Sequence, residues 1–170
     1  MSAGPGQNQG QAQNLGQVEQ RLAKLDLVVP DVARPVAAYV PAMRDGDLVW
    51  TSGQLPMVGG SLAATGKVGD GEGQVSAEQA RELARTCALN ALAAVKSVIG
   101  DLDLVTQVVK VVGYVASDPA FTGQPGVVNG ASELLGLVFA EAGVHARSAV
   151  GVAVLPLDAP VEVEIVVRVR

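Results

Sequence analysis

Sulfur and imidazole are almost absent from this sequence. Cys87 is its only cysteine and His145 its only histidine, so one chain cannot assemble an intrachain disulfide, a multi-thiolate metal site, a histidine-rich zinc centre or a paired-histidine mechanism. A basic excess is missing too: 12 Lys and Arg stand against 17 Asp and Glu, a formal charge of -5, which argues against a phosphate-tracking nucleic-acid surface. Apolar runs are broken by Gly, Pro or charge before they reach the roughly 20 residues of a membrane span. The start, Met1-Ser2-Ala3-Gly4-Pro5-Gly6, lacks the basic and apolar regions of a secretory signal. The expectation is a cytoplasmic protein with neither membrane nor nucleic acid as partner.

Aromatics are scarce as well, at 3% of residues, although 49% of positions are hydrophobic. Val, Ala and Gly therefore supply the core, which suits a sheet covered by helices at close approach and close packing between subunits. At 170 residues the chain holds one well-packed domain rather than two.

Residues 1–17 are nearly all Gly, Gln, Asn, Ala and Ser, with too little apolar surface to offset the entropy of ordering, and are expected to be a disordered tail. Residues 18–34 read as a short amphipathic helix on Val18, Leu22 and Leu25, then an extended lead-in at Pro30 and Pro35. The remaining 35–170 read as one α+β domain. A hairpin is expected from Tyr39–Arg44 and Leu48–Ser52 around Asp45-Gly46-Asp47. A glycine-rich loop follows from Gly53 to Gln74, with one short strand near Leu62. Ser76 caps a helix that runs to Ile99 before Gly100, with Gln79 completing a capping box. Val105–Val115 is too β-branched for a surface helix and reads as a buried strand. A second helix spans Val127 to Ala142, and two strands close the chain at Ser148–Leu155 and Val161–Val169. The order ββ-α-β-α-ββ predicts a mixed sheet with both helices on one face.

The last two strands carry the chemistry. Alternation places Val150, Val152 and Val154 on one face and Arg147, Ala149, Gly151 and Ala153 on the other; in the final strand Val161, Val163, Ile165 and Val167 oppose Glu162, Glu164, Val166 and Arg168. Covering the valine faces with helices leaves the Ala/Gly face of the first strand to a second subunit, with Arg147 at the boundary. There a guanidinium holds a carboxylate by two parallel hydrogen bonds. A structural ion pair of Arg147 with Glu162 or Glu164 competes with that reading. In a tight hairpin, however, Arg147 faces Arg168 and Glu162 falls more than ~15 Å out of register. Thr51-Ser52-Gly53-Gln54 reads as ordinary turn chemistry or as an anion-binding turn. Tyr39 is expected to be a partly buried core aromatic, Asn129 to lie on the polar face of its helix, His145 to sit at a helix C-terminus, and Cys87 to be buried and inert.

Three segments taken together, Leu48-Val49-Trp50-Thr51-Ser52-Gly53-Gln54-Leu55-Pro56, Ala146-Arg147-Ser148-Ala149-Val150 and Leu155-Pro156 followed by Val161-Glu162-Val163-Glu164, resemble the RidA/YjgF family of enamine/imine deaminases. The similarity runs over about residues 35–170, and Val127–Leu134 resembles a divergent branch. The resemblance implies a chorismate-mutase-like α+β fold and a homotrimer built around a central barrel, with ligand clefts between subunits. It also implies hydrolysis of 2-aminoacrylate-type enamines and 2-imino acids, small carboxylate substrates, to 2-keto acids and ammonia, without metal or organic cofactor. By position, Arg147 matches the carboxylate-binding arginine and Glu162 the acid that positions water or moves a proton. Tyr39, Ser52, Asn129 and Ala149 match cleft-lining positions, Ala149 standing where many relatives have cysteine. A non-catalytic trimeric binder of carboxylate metabolites is the alternative. The ribonuclease activity attached to the family's name is disfavoured by the acidic composition.

Overall fold

The computed structural model describes residues 15–32 and 38–170. Most of the expected tail, residues 1–14, and the part of the lead-in around Pro35 lie outside the described residues. Within them, helix α1 (Gln17–Ala23) buries Val18 and Leu22, as the spacing predicts, so that Gln17 already belongs to a helix rather than to a tail. Its first two amides donate to the Asp103 carboxylate at 2.7 and 2.9 Å, which satisfies N–H groups that no helical carbonyl reaches.

Strands β1 (Ala42–Asp45) and β2 (Leu48–Thr51) form the expected hairpin. Gly46 turns it at φ +61°, a conformation a side chain disfavours. The hairpin starts later than expected, and Tyr39 precedes it rather than lying in a strand; it is 48% exposed and not a core aromatic. The glycine-rich loop contains a short hairpin, β3 (Met57–Val58) with β4 (Ser61–Leu62). Helix α2 (Ala77–Ile99) is capped by Ser76, whose Oγ accepts from the Gln79 amide at 3.1 Å, and ends at Gly100 with φ +80°. Strand β5 (Val105–Ala116) follows. Helix α3 (Gln124–Phe139) begins a turn before Val127 because Pro125 is accommodated in its first turn, where its missing N–H costs nothing. A 3-10 turn, Ala140–Gly143, replaces its expected last turn. Strands β6 (Ala146–Val152) and β7 (Val161–Val169) close the chain. The first is shifted toward the N-terminus of the expected span.

The main sheet has the order β1-β2-β7-β5-β6. All neighbours are antiparallel except β5 and β6, which α3 links as a crossover. Strand β5, between β6 and β7, sets the ranks: Val111 lies between Arg147 and Ile165, Gly113 between Ala149 and Val163, and Tyr114 between Val150 and Glu162. Both helices lie on the face carrying Val111, Val115, Val161, Val163 and Ile165, all buried in one cluster with Ala84, Cys87, Ala91, Val128, Leu134 and Leu135. Small residues make the layers close. A Cβ on Gly130 would stand 1.9 Å from the Arg81 carbonyl oxygen of α2, and one on Gly113 would stand 2.4 Å from Val128 of α3.

This ranking corrects one expectation. In β6 the helix-bearing side of the sheet carries Arg147, Ala149 and Gly151, not the valines; Ala149 packs against the core, and Gly151 is exposed although a Cβ there would meet Gln124 and Ser117 at 2.8 and 2.9 Å. Val150 points to the uncovered face at 45% exposure. The cause is the parallel pairing with β5, which aligns Ala149 and Gly151 with Gly113 and Val115 and lets α3 approach because those side chains are small. Within the chain α3 thus covers part of the Ala/Gly face, at Arg147 and Ala149, and leaves Gly151 and Ala153 exposed. The uncovered face also carries Met43 and Trp50, 62% and 51% exposed, on the strands at the other side of the sheet from Val150.

Candidate carboxylate site

Arg147 projects toward α3 and is gripped there. Its Nη1 donates to Asn129 Oδ1 at 2.8 Å and to Ser132 Oγ at 3.2 Å, and its Nη2 donates to the Pro125 carbonyl at 3.2 Å. Residues 125, 129 and 132 follow the i, i+4, i+7 spacing of one helical face, so one side of α3 is devoted to this guanidinium. Every partner is neutral. Among the described residues Arg147 has no salt bridge to a carboxylate, which removes the structural ion pair with Glu162 or Glu164 as its explanation within one chain. A half-buried cation so oriented and left without a counter-ion is suited to an external anion.

Glu162 belongs to a second cluster on the opposite face of the sheet. It lies beside Tyr114 in rank, with Glu164 opposite Val112. Its side chain rests on Gly53, where a Cβ would stand 1.7 Å from the Glu162 Oε1; only glycine leaves room for the carboxylate. Burial first, and the neighbouring Glu164 carboxylate second, hold the Glu162 pKa above its ordinary value. Burial raises Tyr114 likewise, with Glu164 and then Glu162 adding to it. Gly53 follows β2, and the Gln54 and Val163 backbones exchange hydrogen bonds at 2.8 and 3.0 Å.

Ser52 and Tyr39 are on this side of the molecule as well. Ser52 Oγ donates to the Val40 carbonyl at 2.7 Å, and its amide donates to that of Pro41 at 2.9 Å, tying the segment that carries exposed Tyr39 to the end of β2. Thr51 Oγ1 accepts from the Ile165 amide at 2.9 Å. The two hydroxyls thus bond backbone, Thr51 across to β7 and Ser52 to the segment that precedes β1.

The expected site residues fall into two groups. Arg147, Asn129 and Ala149 share the α3 side of β6, while Glu162, Ser52 and Tyr39 gather at the far end of β2 and β7. Within a chain Arg147 and Glu162 are three ranks and two strands apart, on the order of 14 Å at standard spacings, and on opposite faces. Asn129 belongs to the same subunit as the arginine it touches. Ser132, the Pro125 carbonyl and His145 are additional members. Ser132 sits three residues beyond Asn129, a helical spacing that marks it; His145 carries no comparable signal. Among the described residues no group of three His, Cys, Asp or Glu is placed to hold a metal ion, and no helix is long and apolar enough to cross a membrane.

The fold and the anchored arginine define a class: an α+β protein with two helices on one face of a mixed sheet and a cation held at its β6 edge. The family model described as "YjgF/chorismate_mutase-like, putative endoribonuclease" matches residues 19–168, and the chain belongs to this RidA/YjgF family. It is similar to Protein TCP17 of Trypanosoma cruzi, 41% identical over 158 residues that cover 91% of this chain and 96% of that protein. The crystal structure of Atu1372 from Agrobacterium tumefaciens, a protein of unknown function, is 42% identical with a TM-score of 0.82, over 90% of this chain and 92% of that one. The YjgF gene product of E. coli is 25% identical with a TM-score of 0.61, over 82% and 94%.

Proposed function

We propose that this protein hydrolyses 2-aminoacrylate-type enamines and their 2-imino acid tautomers to 2-keto acids and ammonia, in clefts formed between subunits of a homotrimer. The observation that carries the reading is Arg147, fixed by three neutral partners and without a counter-ion among the described residues. It binds the substrate carboxylate. Because Glu162 is on the other sheet face of its own chain, the carboxylate that completes the site comes from a neighbouring subunit, and the exposed Met43, Trp50 and Val150 supply apolar area for such contact.

In that cleft Glu162 orients water onto the imine carbon. The water oxygen bonds to carbon as the C=N π pair moves to nitrogen. Glu162 takes a proton from the attacking water and returns it to nitrogen, giving the carbinolamine; it then takes the carbinolamine hydroxyl proton and delivers it to the amino group, so that C=O forms as the C–N bond breaks and ammonia leaves. A carboxyl whose pKa burial and Glu164 hold above its ordinary value is the stronger base for both transfers. Positioning provides much of the rate because the substrate is intrinsically reactive. Tyr39, Ser52 and the Ala149 backbone line the cleft.

The test is the decay of freshly generated 2-iminobutanoate with and without protein. The parent accelerates it, Arg147→Ala does not, and Arg147→Lys recovers little, because an ammonium keeps the charge and loses the fork. An unchanged decay rate with an intact oligomer contradicts hydrolysis and leaves the second reading, a trimeric binder of carboxylate metabolites, which the neutral grip on Arg147 serves equally well. The endoribonuclease of the family's description finds little support in an acidic chain.

A further inference from the structure

Behind Arg147 lies a hydrogen-bonded relay that the hydrolysis itself does not use. His145 Nδ1 is 2.6 Å from the Gly143 carbonyl and its Nε2 is 2.9 Å from Ser132 Oγ. A carbonyl only accepts, so Nδ1 carries the hydrogen; in the neutral ring Nε2 is then the acceptor and Ser132 the donor. A serine hydroxyl has one hydrogen. With that hydrogen committed to His145, the Ser132 oxygen presents a lone pair to Arg147 Nη1 at 3.2 Å. Direction thus passes from a backbone carbonyl through imidazole and hydroxyl to the guanidinium.

The donor count then determines how an anion is received. A guanidinium has five N–H donors. Asn129 and Ser132 engage both hydrogens of Nη1 and Pro125 engages one of Nη2, so Nε–H and one Nη2–H remain. The Nε–Nη2 edge is the one edge of the guanidinium on which two donors can be free together. Two parallel bonds to one carboxylate need such an edge.

Resting on the reading that Arg147 binds a substrate carboxylate, we infer that Ser132, oriented by His145, is a positioning residue that commits the guanidinium to side-on reception through its Nε–Nη2 edge. Removing the Ser132 oxygen frees an Nη1 hydrogen, and the fork can then turn either edge to the ligand. The loss falls on binding, because the reacting carbon and the Glu162 cluster are untouched.

Three readouts test this on the full-length oligomer. In Ser132→Ala the KM for 2-iminobutanoate and the Kd for 2-oxobutanoate, a stable carboxylate probe, rise about tenfold while kcat stays within about twofold, as expected for losing one bond to a charged group. Ser132→Thr, which keeps the hydroxyl, restores both. Parent-like affinity in Ser132→Ala, or a fall in kcat at constant KM, overturns the inference. Without ligand, NMR finds the Arg147 Nη hydrogens distinct in the parent and averaged in Ser132→Ala, with His145 in the Nδ1–H tautomer. Averaged Nη signals in the parent, or the Nε2–H tautomer, overturn the relay whatever the turnover. A fixed guanidinium that fails to bind 2-oxobutanoate instead overturns the carboxylate reading, and side-on reception with it.

Discussion

Arg147 and Glu162 occupy opposite faces of one sheet. Arg147 is ranked with Val111 and Ile165 and points at α3, whereas Glu162 is ranked with Tyr114 and Val150 and rests against Gly53. No rotamer change joins them through a sheet. Two half-sites of complementary chemistry on one chain, an anchored cation and a carboxyl of raised pKa, make a working site only if one subunit's cation meets the next subunit's carboxyl. Closed symmetric assembly repeats such a pairing at every boundary.

Gly53→Ala tests the carboxyl half. The Cβ would stand 1.7 Å from Glu162 Oε1 and 2.6 Å from its Cδ, and the far end of a flexible side chain can move aside. Stability should change by less than about 1 kcal/mol, while turnover of 2-iminobutanoate falls by roughly tenfold or more through displacement of the carboxylate. Thermal melting and the imine assay measure the two; parental turnover would remove Gly53 from the account.

Gly130→Ala is the contrasting case. Its Cβ would stand 1.9 Å from the Arg81 carbonyl oxygen and 2.8 Å from the carbonyl carbon, so backbone has to shift and α3 separates from α2. A loss of about 3 kcal/mol is expected in urea unfolding. The same helix carries Asn129 and Ser132, so carboxylate affinity should fall as well.

Glu162→Gln tests the raised pKa. Folding holds the Glu162 proton more tightly than the unfolded chain does, so the folded state binds more protons between the unfolded and folded pKa values. Stability contributed by Glu162 is full below the unfolded value and is lost as pH rises through the folded one. The urea midpoint of the parent, compared with the variant, should therefore decline over that window, and the variant should lack the decline. A parent that gains stability relative to Glu162→Gln over the same window contradicts the assignment.

Local patterns were readable in the sequence where local chemistry determines the outcome. Ser76 and Gly100 bound α2 because cap geometry involves only neighbouring residues, and alternation set the inward face of β7, whose Val161, Val163 and Ile165 are buried. Strand β6 shows the limit. Alternation sorts its side chains into two faces without saying which face is covered, and its valines favour the wrong answer. Coverage is decided by β5, which places Gly113 beside Ala149 and lets α3 sit close. Arg147 stood out as a cation in an apolar strand, and Asn129 came through the family resemblance. Ser132 shares a helical face with Asn129 by spacing, but it and His145 meet Arg147 only when α3 docks beside β6, and for His145 no spacing signals that event.

Mixing two inactive variants tests the shared cleft most directly. Arg147→Ala and Glu162→Gln oligomers, each separately inactive toward 2-iminobutanoate, are dissociated, combined in equal amounts and reassembled. A site shared between subunits predicts recovery of about one quarter of parental activity, because random assembly gives that fraction of boundaries an intact arginine from one subunit and an intact glutamate from the other. No recovery, with subunit exchange verified by mass, would contradict a cleft built from Arg147 of one subunit and Glu162 of the next.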